Sequence, residues 1–579
     1  MKKRSKDQFT GKMFGRLWAP AMVSSLALAV ADMADAIVVG QRMGAIGLAA
    51  ISLALPVYMV INVFVYGLGI GGSVRYSKLL GKGKRREAQS CFCHIFWAAL
   101  LGSLTLALVG NLFLEPLLAV LGVGREDGAL FLASRDYVRV ILCGMPILFL
   151  SFILNYFLCN DDNQKLAGVG FTLGNLADFG LNVLFVLVLD FGVSGAAMST
   201  VLGQLLSLVV YLPGVFGKTK NLRLKFERIR WREVFLCFKT GLSTSVQYIW
   251  QMVFLLIANH TLLYYGGENG VAVFDMVQNV SYLVVDLYEG TAKAMQPLVS
   301  TYQGERNRKG SSSIKRMGLF CGTVVGIVSS LFLAVFPNVM CSIFGLTGKD
   351  VVSMAAYAIR IYCLGGVFGG INILLEGYYQ SCEKEGLAFW LTTLRGAAVL
   401  IPCTILFAPL GIEKFWFLFP VTEIVSLLLF FILKKIRRVQ DTFDMERVYS
   451  RTIEGKNEDL GVMLKEVDDF CEKWKADRRQ HYYVTMTVEE ICLSIIKKAF
   501  EMQSGGYIQI TLIALEGSEF ELHIRDNAKL FNPFSMETDR ASEEGSYDMD
   551  AMGMLIIKQK AKHFFYRQYQ GFNSLIVQI

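Results

Sequence analysis

Twelve stretches of this chain are too long and too apolar for a fold that lives in water. They lie near residues 17–40, 52–79, 91–114, 136–159, 166–189, 193–215, 236–263, 270–300, 315–336, 355–382, 387–409 and 413–434. As a helix rising about 1.5 Å per residue, each can cross a hydrocarbon core of about 30 Å. A spanning β-strand needs only about 10 residues of alternating polarity, so the lengths specify helices. The expected fold class is a polytopic α-helical membrane protein of about twelve transmembrane helices. Composition agrees, since 54% hydrophobic residues and 18% charged residues in 579 do not describe a soluble globule.

The basic start, MKKRSKDQFTGK, is followed by an apolar run longer than a signal-peptide core, containing Asp32 and Asp35 and no small-residue cleavage pattern. It is expected to remain as the first span. The 12 cysteines have no CxxC spacing and read as buried thiols. Lys and Arg gather in alternate loops: Lys82, Lys84, Arg85 and Arg86; Lys218, Lys220, Arg223, Lys225, Arg228, Arg230 and Arg232; Arg306, Arg308, Lys309, Lys315 and Arg316; and Lys434, Lys435, Arg437 and Arg438. The intervening loops LDFG (189–192) and YYGGENG (264–270) carry none. The positive-inside rule puts both termini in the cytoplasm. It also accounts for the net charge of +8 through anionic lipid rather than nucleic acid.

The chain reads as a 1–16 tail, a first six-helix lobe (17–215), a basic linker (216–235), a second six-helix lobe (236–438), a short linker (439–445) and a soluble domain (446–579). The lobes overlay without gaps in several places. GLGIGGSVRYSKLLG (67–81) matches GTAKAMQPLVSTYQG (290–304), LNYFLCNDDNQKLA (154–167) matches LEGYYQSCEKEGLA (375–388), and Gly192 to Gln204 equals Gly411 to Glu423 in spacing. Six spans per half make this a parallel repeat about an axis normal to the membrane, with a cavity expected between the bundles.

Pro20, ADMADAIVVGQRMGAIGLAAISLALP (31–56), GLGIGGSVRYSKLLGKGK (67–84), GVSGAAMSTVLGQ (192–204) and EGTAKAMQPLVSTYQGE (289–305) together resemble the multidrug and toxin extrusion (MATE) family. The resemblance covers roughly residues 10–438. It implies rocking of two lobes and export of a small cationic or amphipathic substrate, driven by proton or sodium influx across a bacterial inner membrane.

Charge inside a bilayer costs about 2.5–3.5 kcal/mol on insertion scales, so intramembrane acids read first as functional. Asp32 and Asp35 share a face of span 1, and Asp178 and Asn182 share a face of span 5. Together they could hold a proton, or their oxygens a sodium ion. The resemblance implies a functional acid at Asp35 and an Asn and Asp one turn apart in span 5, an order reversed here. Span 8 carries Asp286 and the i,i+4 pair Glu289 and Lys293, read as a structural ion pair or as second-lobe cavity lining. Gln251 stands about where some family members carry a span-7 Glu, and Glu376 is expected to snorkel to the interface.

The soluble domain is expected to hold amphipathic helices at 458–478 and 488–500, strands at 507–515 and 519–527, a helix at 551–562 and two final strands. This α/β sandwich resembles the GHKL-type ATPase domain of anti-sigma serine kinases. The resemblance implies a base at Glu490, a magnesium ligand at Ser494 where the family has Asn, an adenine contact at Asp526, and a phosphate turn near Gly553. Asn527 and Ala528 stand in place of x-Gly, Ala551 replaces the first glycine, and LFNPF (530–534) keeps part of a family segment. Each Gly-to-Ala change adds a Cβ where a nucleotide should approach, so ATP and magnesium are doubtful ligands and a regulatory protein-docking surface is an alternative. Expected function is therefore secondary export without a catalytic residue. The alternatives are a flippase for lipid-linked precursors or a membrane sensor whose domain phosphorylates a partner.

Overall fold

The computed structural model describes residues 2–81, 85–161, 164–216, 222–382, 384–436, 445–455, 457–500, 506–515, 519–528, 531–533, 549–569 and 572–579. The basic residues Lys82, Lys84, Lys218, Lys220, Arg437 and Arg438, the side chains of Asp32 and Ala551, and the ends of the LFNPF segment fall outside these.

The first lobe contains α1 (Lys2–Gly81), α2 (Arg85–Leu112), α3 (Leu114–Leu121), α4 (Ala129–Asn160), α5 (Gln164–Asn182) and α6 (Gly192–Phe216). The second contains α7 (Trp231–Gly304), α8 (Arg308–Val335), α9 (Pro337–Ile343), α10 (Lys349–Ser381), α11 (Glu385–Thr393), α12 (Leu400–Phe407), α13 (Ile412–Phe415) and α14 (Leu418–Ile436). Among the described residues ten helices are long and apolar enough to cross a membrane. Two of them, α1 and α7, each hold two of the expected crossings, so the ten account for twelve.

A straight helix of 80 residues, the length of α1, would run about 120 Å and overshoot a bilayer several-fold. The chain turns instead at single residues: Gly44 with φ 59° and ψ −139°, and Gly267 with φ 58° and ψ −154°. Only glycine adopts such angles without steric cost. The offset that lays Gly67 on Gly290 also lays Gly44 on Gly267, so the repeat extends to the hairpin geometry. YYGGENG is accordingly a tight connection, in which two helices meet at the single non-helical residue Gly267.

The basic linker is not free in solvent either. Its segment 222–230 runs along α2, where Trp97 Nε1 donates to the Lys225 carbonyl at 2.9 Å and Ser90 Oγ donates to Glu227 at 2.5 Å. A continuous apolar core joins both lobes. Polar contacts cross between them at intervals: Asn259 Nδ2 to the Ser52 carbonyl (2.9 Å), Ser245 Oγ to the Val63 carbonyl (2.8 Å) and Trp18 Nε1 to Thr291 Oγ1 (3.0 Å).

The tail is a five-stranded antiparallel sheet with helices on one face. Its elements are β1 (Val448–Glu454), α15 (Asn457–Lys473), α16 (Arg478–Ser494), β2 (Tyr507–Ala514), β3 (Phe520–Asp526), α17 (Met549–Lys560), β4 (His563–Tyr569) and β5 (Phe572–Gln578), in sheet order β1-β2-β3-β5-β4. Alternate strand residues Ile508, Ile510, Leu512, Leu522 and Ile524 pack against Val484, Val488 and Ile491 of α16 as a separate core. Strand β1 was not expected from the sequence. The helix expected at 488–500 is the second half of a longer one that widens into a π-helical turn at Ile495–Ala499.

Candidate functional site

In the first lobe α5 places Asp178 and Asn182 one turn apart, facing α1. The Asn182 amide, fully buried, donates to Asp35 Oδ1. Asp178 lies within electrostatic range of Asp35 and beside Ser199 and Thr200 of α6. Tyr58 and Tyr137, paired at 3.3 Å, lie within range of both carboxylates. Among the described residues, Asp178 Oδ1 and Asn182 Oδ1 are buried and accept no hydrogen bond. Two orphaned oxygens beside a second carboxylate form an acceptor set that a small cation would complete. The backbone assists: α5 ends at Asn182 in a π-helical segment, Val183–Val188, a local rewinding frequent at functional sites.

The second lobe holds a cavity of about 790 Å³ between α7, α10, α11 and α14. Gln251, Glu289 and Lys293 line it, and the last two form an ion pair at 3.2 Å with side chains about half exposed. Deeper in the wall, Arg395 binds Glu423 through two hydrogen bonds, Nε at 2.9 Å and Nη2 at 2.8 Å. Asn372 Nδ2 adds a third to Glu423 at 2.7 Å. Glu376 accepts from Thr392 Oγ1 at 2.7 Å and stands 3.8 Å from Arg395 Nη1, so it does not snorkel outward. Arg395 sits in the π-helical segment Leu394–Ala398, as Asn182 adjoins the one in α5.

The repeat matches the second-lobe acid to a neutral residue of the first lobe. Ser151 donates to Gln204 at 2.8 Å in the first lobe, and the positions matched to them by the overlay are Asn372 and Glu423. A neutral pair in one half is a charged, arginine-bound pair in the other.

In the tail, Glu490 and Ser494 share a face of α16 and Asp526 ends β3. Burial pushes the Asp526 carboxyl up to about 6, against the lowering effect of its hydrogen bonds from Asn573 Nδ2 and the Ala528 N–H, both 2.8 Å. Asn527 Oδ1 accepts from the Tyr507 N–H at 2.7 Å. Gly553 lies inside α17, past its first turn, and a Cβ there would come within 2.6 Å of Glu490 Oε2. These residues do not fit a magnesium nucleotide. The Gly553 amide falls within the helix's own hydrogen-bonded run, the Glu490 carboxylate is pressed against α17, and the Asp and Asn beside the expected adenine position already bind protein groups.

The MatE family description matches residues 20–184 and again residues 240–405. The chain belongs to the MatE family. Residues 453–579 match the histidine kinase-like ATPase domain. Among relatives of this MatE protein, multidrug export protein MepA of Staphylococcus aureus (strain MSSA476) is 23% identical over 392 residues, covering 66% of this chain and 84% of that one. Probable multidrug resistance protein YoeA of Bacillus subtilis (strain 168) is 24% identical over 439 residues, covering 71% and 90%. An inward-facing multidrug resistance MATE family transporter superposes with TM-score 0.64 at 20% identity, over 72% of this chain and 98% of that one. The MATE multidrug transporter DinF-BH gives TM-score 0.56 at 26% identity, over 74% and 96%.

In this MatE protein Arg395 and the role of Glu423 were not expected from the sequence, although an arginine inside an apolar run was signal enough. Nor was Asp275, only 1% exposed, whose Oδ2 accepts from Asn279 Nδ2 at 3.1 Å and which lies within electrostatic range of Tyr137 from the opposite lobe.

Proposed function

We propose that this protein is a secondary transporter that exports small amphipathic organic cations across the bacterial cytoplasmic membrane. Its two six-helix lobes alternate access, driven by inward flow of protons or sodium ions through the first-lobe cluster. The observation that carries this reading is the convergence of Asp35, Asp178 and Asn182, buried together with unpartnered oxygens. A cation bound there neutralises charge that would otherwise sit uncompensated in lipid, so occupancy shifts which lobe arrangement is stable.

The second-lobe cavity supports the choice of cargo. Glu289 and Lys293 cancel, while Glu376, Arg395 and Glu423 leave one net negative charge in a wall that also presents Tyr248, Tyr282, Tyr288 and Tyr362. A monocation with an aromatic or aliphatic body matches that charge and those ring faces. The cationic loops support a cytoplasmic side for both termini, and on this reading the tail is a regulatory module without phosphoryl-transfer activity.

Reconstituted protein, with a fluorescent organic cation as substrate and a proton or sodium gradient imposed separately, tests the reading. Transport should follow one of the gradients and vanish in Asp35→Asn while substrate binding persists. Full gradient-driven transport by Asp35→Asn would move coupling away from this cluster.

A further inference from the structure

The tail's sheet turns its second face to the membrane body instead of to water. Every residue of β2 is buried. Ile508, Ile510 and Leu512 point into the tail's own core, and Tyr507, Gln509 and Thr511 point to the helices. From the first lobe, Phe9 of α1 stacks on Tyr507 at 5.7 Å and meets Phe572 edge-on at 6.0 Å, with Lys12 Nζ 4.4 Å from the Tyr507 ring. From the second lobe, at the end of α7, the Tyr302 hydroxyl donates to Gln509 Oε1 at 3.0 Å and lies 3.2 Å from Thr10 Oγ1 of α1. Glu305, 2% exposed, pairs with Arg525 of β3, and Asn307 Nδ2 donates to Ser450 Oγ at 2.9 Å. Tyr302 is thus a junction where first lobe, second lobe and tail all meet.

We propose that the tail is a clamp across the two lobes: by gripping the start of α1 and the end of α7 at once, it opposes their separation on the tail side and so gates transport. The chain itself joins the tail to α14 of the second lobe, so contacts with α7 would suffice for anchorage. Those with Phe9, Thr10 and Lys12 reach the other lobe and serve no anchoring need. The contact face is also suited to release. Gln509, Thr511, Arg525, Ser450 and Glu305 are polar or charged groups that water can solvate once the surfaces part, the composition expected of an interface that opens and closes rather than of a permanent core. The buried charge pair adds register, because a slipped interface would leave Glu305 and Arg525 buried apart.

The inference rests on the two-lobe transport reading, and the test separates the two. Donor and acceptor fluorophores are placed by unnatural amino acids at Arg86 and Lys309, exposed residues at the starts of α2 and α8, in full-length protein in proteoliposomes. Wild-type protein should sample two distances whose populations respond to substrate and ion gradients. Glu305→Arg and Arg525→Glu should each raise the ratio of separated to closed forms about tenfold or more, and the double swap Glu305→Arg/Arg525→Glu should return it toward wild type. Should the charge reversals fail to accumulate as folded protein, Tyr302→Phe, which loses the bonds to Gln509 and Thr10, and Gln509→Leu, which loses those to Tyr302, Thr452 and Arg525, should shift the ratio in the same direction by about two- to threefold or more. Unchanged populations in folded variants overturn the clamp while leaving transport intact. A single invariant distance in the wild type overturns both readings.

Discussion

Arg395 shows how much a single side chain can commit a membrane lobe. Replacing it with methionine strands Glu423 on Asn372 alone and leaves Glu376 with Thr392, and removing one partner from a buried pair costs about 3–5 kcal/mol. Arg395→Met should therefore unfold at a markedly lower temperature in detergent. Arg395→Met/Glu423→Leu should recover most of the loss, because an apolar pair of similar volume replaces the ionic one; no recovery would show that the network does more than neutralise itself. Asp526 gives a pH-dependent counterpart in the tail. Its carboxyl, held at about 6 by burial, takes up a proton in the native state before the unfolded chain does near about 4. The native state binds more protons in that window, so tail stability falls as pH rises from about 4 to about 6, by at most about 3 kcal/mol. The urea midpoint of the tail transition, followed in full-length protein, should show this slope, and Asp526→Asn should flatten it. Which of these residues could be read from sequence follows from their surroundings. Asp35, Asp178 and Asn182 announce themselves as polar groups in apolar runs sharing helix faces. Glu376, Arg395 and Glu423 come from α10, the α11 segment and α14, and only packing reveals that they meet.

At the scale of elements, the same distinction separates what hydrophobic length dictates from what single residues decide. The spans follow from length alone, but a single glycine, Gly44 or Gly267, makes the sharp turn between two helices where a longer loop was expected. Strand β1 escaped notice because charged residues interrupt its alternation and its burial comes from β2 and the α-helical layer. The tail's helices matter most for chemistry. Since α17 carries Gly553 past its first turn and leans on Glu490, the full-length protein should turn over no magnesium nucleotide. Calorimetry should find adenine nucleotide binding weak and nearly unchanged by magnesium. Ser494→Asn alone supplies a better metal ligand and should strengthen only the magnesium-dependent part. Brisk hydrolysis by unmodified protein would mean that α17 moves away when nucleotide arrives.

The whole molecule joins three parts: a first-lobe carboxylate cluster proposed to take the coupling ion, a second-lobe cavity with one net negative charge, and a tail that touches both lobes at one end. The repeat ties the lobes together, since Ser151 and Gln204 stand where Asn372 and Glu423 stand in the other half, and a duplication that diverged in charge can give one lobe the ion and the other the cargo. The lobes and the tail's fold class were legible because composition, loop charge and the overlay bear on them directly. The docking face was not, because Tyr507, Gln509, Thr511 and Arg525 read in sequence as the solvated side of a sheet. The most direct measurement is transport of a fluorescent organic cation by wild-type protein and by Asp35→Asn in the same liposomes, with a proton gradient and a sodium gradient imposed in separate runs. The account predicts rapid wild-type transport under one of the two and none by Asp35→Asn under either, with substrate affinity retained. Equal transport by both proteins, or wild-type transport indifferent to both gradients, would contradict it.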